Sequence, residues 1–105
     1  MNMYTFIRRF TQRGERVPLK VQRSLMHQLS SAMAHVHGMG ICHRDIKPHN
    51  ILVDSRTRTL KVCDFGSAKR LTPRAPSVAK IGARWYRAPE CLLGCKYYDT
   101  SIDMW

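Results

Sequence analysis

Apolar residues between Pro18 and Val36 recur at steps of three and four: Leu25, Leu29, Ala32, Met33 and Val36, with Leu19 and Met26 flanking the same broad face. That period predicts a helix with one apolar side. Pro18 suits its first turn, and Gly38 and Gly40 supply the backbone freedom that ends it. Ahead of it, Met3 to Phe10 reads as a short helix or an extended lead-in, followed by the basic turn TQRGER. Further on the pattern shortens. Ile51 to Val53 and Leu60 to Cys63 are brief β-type runs around the polar turn DSRTRT, which predicts a small hairpin. Leu71 to Lys80 contains Pro73 and Pro76 without a sustained period and is expected to be a surface loop. Arg84 to Cys95 gathers Trp85, Tyr86, Leu92 and Leu93 around Ala88-Pro89-Glu90, where Pro89 is fit to start a helix. Ser101 to Trp105 is expected to open another helix. The fold class is α+β, mostly helical with a short β-hairpin.

A length of 105 residues allows one small domain, and a hydrophobic fraction of 44% belongs to a globular chain. Charge alters this picture. Eighteen Lys and Arg face seven Asp and Glu, for a formal charge of +11. Such a field favours polyanions without choosing among nucleic acid, acidic lipid, phosphates and acidic proteins. The excess runs along the whole chain, so no separate basic tail is expected. Cys42, Cys63, Cys91 and Cys95 lack the paired spacing of a zinc ribbon, and reduced, mostly buried thiols are expected. No apolar run reaches the roughly 20 residues of a membrane span. A cytoplasmic or nuclear location with no membrane partner is the expectation.

In a chain so poor in acids, HRDIKPHNILVD places aspartate, lysine and asparagine within six residues, ahead of a short apolar run. A solvated turn before a strand is the plain reading. Two later motifs change it. Asp64 opens DFG directly after the second predicted strand, and RAPE follows at Glu90. Any one triplet recurs by chance; all three, in order and joined by a hairpin and a loop, form the signature set of a phosphoryl-transfer site.

On these residues the sequence resembles the eukaryotic protein kinases over nearly all of its length. ICHRDIKPHNILVD with LKVCDFGSAKRL is similar to the glycogen synthase kinase 3 and shaggy family of serine/threonine kinases. The resemblance implies a partial kinase fold over residues 1–105, running from the end of the hinge through the catalytic loop, metal-binding loop and activation segment to the start of the following helix, with the amino-terminal lobe absent. It implies ATP and Mg²⁺ as cofactors and protein serine or threonine hydroxyls as substrates. By resemblance Asp45 orients the substrate hydroxyl and accepts its proton, and Lys47 approaches the transferring phosphoryl group. Asn50 and Asp64 offer oxygen ligands to Mg²⁺, and Leu52 packs below adenine. His43, Arg87, Glu90 and Asp103 resemble supporting residues, Glu90 as an ion-pair former and Asp103 as a buried acceptor for the catalytic-loop backbone. Arg44 and Lys69 resemble two of the cations that hold a phosphate already present on a primed substrate. Scaffold or regulatory proteins are the further partners implied.

The sequence also departs from that family. It carries no glycine-rich nucleotide loop, no ATP-anchoring lysine and no helix glutamate to pair with it, so the 105 residues alone are expected to be inactive. Lys80 stands at the place of the activation-loop tyrosine. Ala83 stands where a Ser or Thr hydroxyl would tie Asp45 to Lys47, and a methyl group makes no such bond. These departures keep open a non-catalytic pseudokinase or interaction fragment. Nucleic-acid binding rests on charge alone, because Trp85, Tyr86, Tyr97 and Tyr98 fall in kinase-like structural segments; no specific nucleic-acid partner is expected.

Overall fold

A computed structural model describes residues 1–105. Three α-helices, α1 (Met3–Thr11), α2 (Leu19–Gly38) and α3 (Pro89–Leu92), accompany four short strands, β1 (Ile41–Cys42), β2 (Ile51–Val53), β3 (Leu60–Val62) and β4 (Lys69–Arg70). The chain forms two compact units, one of residues 1–34 and 48–63, the other of 35–47 and 64–105.

The first unit is built from apolar faces. Asn2 caps α1 by accepting the Thr5 N–H at 2.8 Å, and Arg8 and Arg9 sit in the last turn, where cations favour the helix dipole. Phe6 is buried and meets Phe10 edge-on at 5.4 Å. From α2, Val21, Leu25 and Met33 turn inward, four and eight residues apart on one face, with Leu29 between them partly buried. Leu19 and Met26, expected on that face, are exposed, since an apolar stripe one contact wide buries its centre and leaves its flanks in water. Strands β2 and β3 pair antiparallel with Val53 opposite Leu60. Ile51 and Val53 point inward while Leu52 between them points out, the alternation a two-residue period demands.

The turn of the hairpin is held by Asp54, whose Oδ1 accepts the N–H groups of Arg56 at 2.8 Å and Thr57 at 3.1 Å. Gln28 of α2 clips the hairpin at both faces of its amide: Nε2 donates to Arg58 O and Oε1 accepts from Leu60 N, each at 2.9 Å. Residues 1 and 2 add an edge the hydropathy pattern does not announce. Val53 N donates to Met1 O at 2.7 Å, the terminal ammonium donates to Val53 O at 3.0 Å, and Asn2 bridges Leu52.

In the second unit, β1 and β4 pair antiparallel, Ile41 with Arg70 and Cys42 with Lys69. Cys42, Ala88, Cys91 and Ile102 form a small core with Leu71 and Tyr98 packed against it. The tail differs from expectation: Thr100–Asp103 is a single 3₁₀ turn, capped by Asp99 and closed by Met104 N–H on Ser101 O, where a helix is predicted from Ser101. Bonds of the i to i−3 kind close one turn at low entropic cost without committing the chain to a helix.

Candidate active site

Four residues of the catalytic-loop motif, His43, Arg44, Asp45 and Lys47, lie in the second unit together with Asp64. Their backbone is anchored by Asp103, whose side chain is almost wholly buried. Its Oδ2 accepts the His43 N–H and its Oδ1 the Arg44 N–H, each at 2.7 Å. His37 Nε2 lies 2.9 Å from the same Oδ2, and the Cys42 thiol approaches it at 3.4 Å. A buried carboxylate is stable only with donors on its lone pairs, and here they are supplied by the loop it must hold. Burial first, then the negative charge of Asp103, pushes the Cys42 thiol far above its ordinary range. Cys91 is raised too, by burial and then by Glu90. Both core cysteines are therefore poor nucleophiles at neutral pH.

Arg44 has φ +67, a left-handed conformation that costs a non-glycine residue energy and re-aims the residue after it. That residue is Asp45. Lys47 Nζ sits 2.7 Å from its Oδ2, and the Ala83 main-chain N–H donates to its Oδ1 at 3.0 Å. Both carboxylate oxygens are thus oriented, the second by a backbone amide at the very residue whose side chain lacks the expected hydroxyl. His43 is fully buried, accepts the Asp45 N–H on Nδ1 at 3.3 Å and meets Phe65 edge-on at 4.7 Å. Its ring is packed inside the unit and away from solvent.

Asp64 also has a left-handed backbone, φ +61, and caps the turn Phe65–Ser67 through a 3.3 Å bond from Gly66 N–H. Its carboxylate is exposed. An exposed, hard-oxygen donor fits Mg²⁺, which takes one or two carboxylates and fills its shell with phosphate and water. No three His, Cys, Asp or Glu side chains converge as a ready cage.

Asn50 and Leu52 belong to the first unit. Asn50 is buried at the foot of the hairpin, its carbonyl accepting the Cys63 N–H at 2.9 Å. Leu52 lies outward on β2, beside Met1 and Lys61 in an open depression of about 500 Å³. Beside Asn50, His49 stacks on Tyr4 of α1 at 4.8 Å, a pairing that sequence spacing alone did not signal.

Arg44 and Lys69 each hold a neutral oxygen. Arg44 Nε donates to Ser67 O at 2.6 Å and its Nη1 to the Tyr98 hydroxyl at 3.4 Å; Lys69 Nζ donates to Ser77 Oγ at 3.1 Å. Arg87 is an internal clamp, its Nε and Nη2 donating to Ile81 O and Gly82 O, both at 3.0 Å. Glu90 precedes the core residue Cys91 in α3 and accepts the Cys95 N–H on its own carbonyl at 2.9 Å.

The protein kinase domain family matches residues 1–105. Protein kinase MCK1 of Saccharomyces cerevisiae is 50% identical over 99 residues, covering 94% of this chain and 26% of the yeast protein. Cyclin-dependent kinase B2-2 of Arabidopsis thaliana is 48% identical over 101 residues, covering 95% and 32%. Protein kinase gsk31 of Schizosaccharomyces pombe is 48% identical over 99 residues, covering 94% and 26%. The chain thus spans between a quarter and a third of the length of these relatives. With a match from first residue to last and the HRD, DFG and APE motifs in order, this chain belongs to the protein kinase family.

Proposed function

We propose that this chain supplies the catalytic and metal-binding loops of a serine/threonine protein kinase. The observation that carries the reading is the doubly held Asp45: Lys47 on one oxygen at 2.7 Å and the Ala83 amide on the other at 3.0 Å. A carboxylate held at both oxygens has its plane fixed, which is what orienting a hydroxyl requires. Bound ATP with Mg²⁺ would supply the transferable phosphoryl group and the charge neutralisation of its oxygens. Asp45 would align the hydroxyl and take its proton. Lys47 would then serve two anions, holding Asp45 and facing the phosphoryl oxygens, while Asn50 and Asp64 would each contribute an oxygen to the metal. Leu52, outward on β2, would offer an apolar surface to adenine.

For the substrate, Arg44 and Lys69 favour a protein already carrying a phosphate. Each would exchange a neutral oxygen partner for a charged one, and charge-assisted bonds are the stronger. A lysine two residues after the catalytic aspartate, as Lys47 stands to Asp45, is common in serine/threonine kinases and favours serine and threonine hydroxyls as acceptors.

The test exchanges residues 1–105 for the matching segment of the Saccharomyces relative and measures phosphate transfer from labelled ATP to a peptide with and without a priming phosphate. Transfer that Asp45→Asn reduces by about a hundredfold or more supports the reading, on the usual scale for general-base loss. An Asp45→Asn chimera as active as its parent would refute it. The 105 residues assayed alone are expected to show no transfer above background.

A further inference from the structure

The methyl side chain of Ala83 cannot bond Asp45, yet Asp45 Oδ1 has a donor. The donor belongs to the peptide unit between Gly82 and Ala83. No cis peptide occurs in the chain, so the carbonyl and the N–H of this unit point in opposite directions. The Gly82 carbonyl points at the Arg87 guanidinium, 3.0 Å from Nη2, and the Ala83 N–H points at Asp45. Arg87 holds the preceding carbonyl as well, Ile81 O at 3.0 Å from Nε. Two successive carbonyls on one planar fork fix the peptide plane as a single bond could not.

Gly82 makes the approach sterically feasible. Its φ is +72, and a Cβ there would stand 2.4 Å from the Arg44 carbonyl oxygen, a backbone atom with nowhere to go. Only a residue without a side chain lets this segment lie against the Arg44–Asp45 backbone with its next N–H directed at the carboxylate.

We propose that Arg87 and Gly82 are positioning residues for Asp45, acting through the Gly82–Ala83 peptide in place of a hydroxyl at position 83. Arg87 orients the peptide, its positive charge draws on the Gly82 carbonyl, and the polarised N–H holds Asp45 Oδ1 opposite Lys47. Ala83 thereby ceases to mark a lost contact. The catalytic meaning of this relay rests on the kinase reading above; the relay itself is a property of this chain's own backbone.

Hydrogen exchange and carboxyl ¹³C spectra of the full 105-residue chain test it. The Ala83 amide is expected to exchange at least about tenfold more slowly than an open peptide, the factor one ordinary hydrogen bond carries. Arg87→Lys, which cannot fork onto two carbonyls, is expected to remove that protection and move the Asp45 carboxyl resonance. Arg84→Lys, on the exposed neighbour, is expected to do neither. Ala83→Pro provides a second route: φ at Ala83 is −69, within proline's range, and the ring Cδ takes the place of the N–H, so the substitution deletes the donor and pushes the Asp45 carboxylate off its position. It should shift the Asp45 resonance as Arg87→Lys does.

In both variants the His43 and Arg44 amides, which Asp103 holds, should stay protected. If they lose protection together with Ala83, Arg87 merely supports the fold and the proposal fails. It fails equally if the wild-type Ala83 amide exchanges freely. A chimera that transfers phosphate while that amide exchanges freely would remove the relay and leave the kinase reading standing. A protected amide in an inactive chimera would remove the reading and leave the relay.

Discussion

The two units of this molecule solve the same problem with different bonds. The first, residues 1–34 and 48–63, buries Phe6, Val21, Leu25, Met33, Ile51, Val53 and Leu60 from helix faces and alternating strands, with Gln28 and Asp54 fixing the hairpin. The second, residues 35–47 and 64–105, has a smaller apolar core and is tied by polar side chains reaching across the chain to backbone groups: Asp103 to residues 43 and 44, Arg44 to 67, Arg87 to 81 and 82, Tyr98 to 78. An apolar face needs many interchangeable contacts, whereas a polar tie depends on one residue. The unit that carries Asp45 and Asp64 is therefore the one in which single substitutions are expected to act most sharply.

Asp103 offers the largest contrast. Asp103→Ala would orphan two loop N–H groups at 2.7 Å and remove the partner of His37, and the loss of a buried, multiply bonded carboxylate costs about 4 kcal/mol. Urea unfolding of the variant checks the figure. Leu25→Ala in the first unit should cost about 3 kcal/mol, since neighbours on a broad apolar face relax partly into the space left. If Leu25→Ala proved the costlier and Asp103→Ala close to neutral, the division into an apolar and a polar unit would not describe the energetics. Gln28→Ala should cost about 1 kcal/mol, because the Arg58 carbonyl it frees is exposed while the Leu60 N–H is only partly covered.

The same contrast explains what could be read from sequence. The period of Leu25, Leu29, Met33 and Val36 predicted α2 to within two residues at each end, and β2 and β3 emerged from apolar runs around a polar turn. These elements repeat a physical pattern long enough to register. Two-residue strands do not: the pairing of β1 with β4, and of Met1 and Asn2 with the hairpin, depends on partners distant in the chain. The roles of the second unit were legible only as motif. The resemblance singles out Asp103 and Lys47, and in the structure Asp103 accepts the His43 and Arg44 N–H groups while Lys47 lies beside Asp45. Ala83 exposes the limit of that method. Residue type records the loss of a hydroxyl, but every residue other than proline brings an N–H, so whether the amide takes over depends on the φ of Gly82 and the reach of Arg87.

The smallest effect concerns a device that both units share. Asp54 in the first and Asp99 in the second each accept main-chain N–H groups two or three residues ahead. Bonds from Thr57 and then Arg56 hold the Asp54 carboxyl below its ordinary range, and bonds from Ser101 do the same for Asp99. A carboxyl whose folded pKa lies below the unfolded value binds fewer protons when folded. Its contribution is therefore complete above the unfolded value, near 4, and is lost as pH falls through the folded one. Asp54→Asn and Asp99→Asn should each flatten the acid limb of stability against pH below about 4 by losing a small contribution at pH 7, because asparagine keeps an acceptor at the same place without the charge. Both groups are exposed, so solvent screens the interaction and the shift in urea midpoint should be smaller than for Gln28→Ala. Equal flattening by the two variants would show that turn capping acts alike in an apolar and a polar setting. A larger effect from Asp99→Asn would show instead that its turn, which carries Asp103, passes the loss on to the polar ties of the second unit.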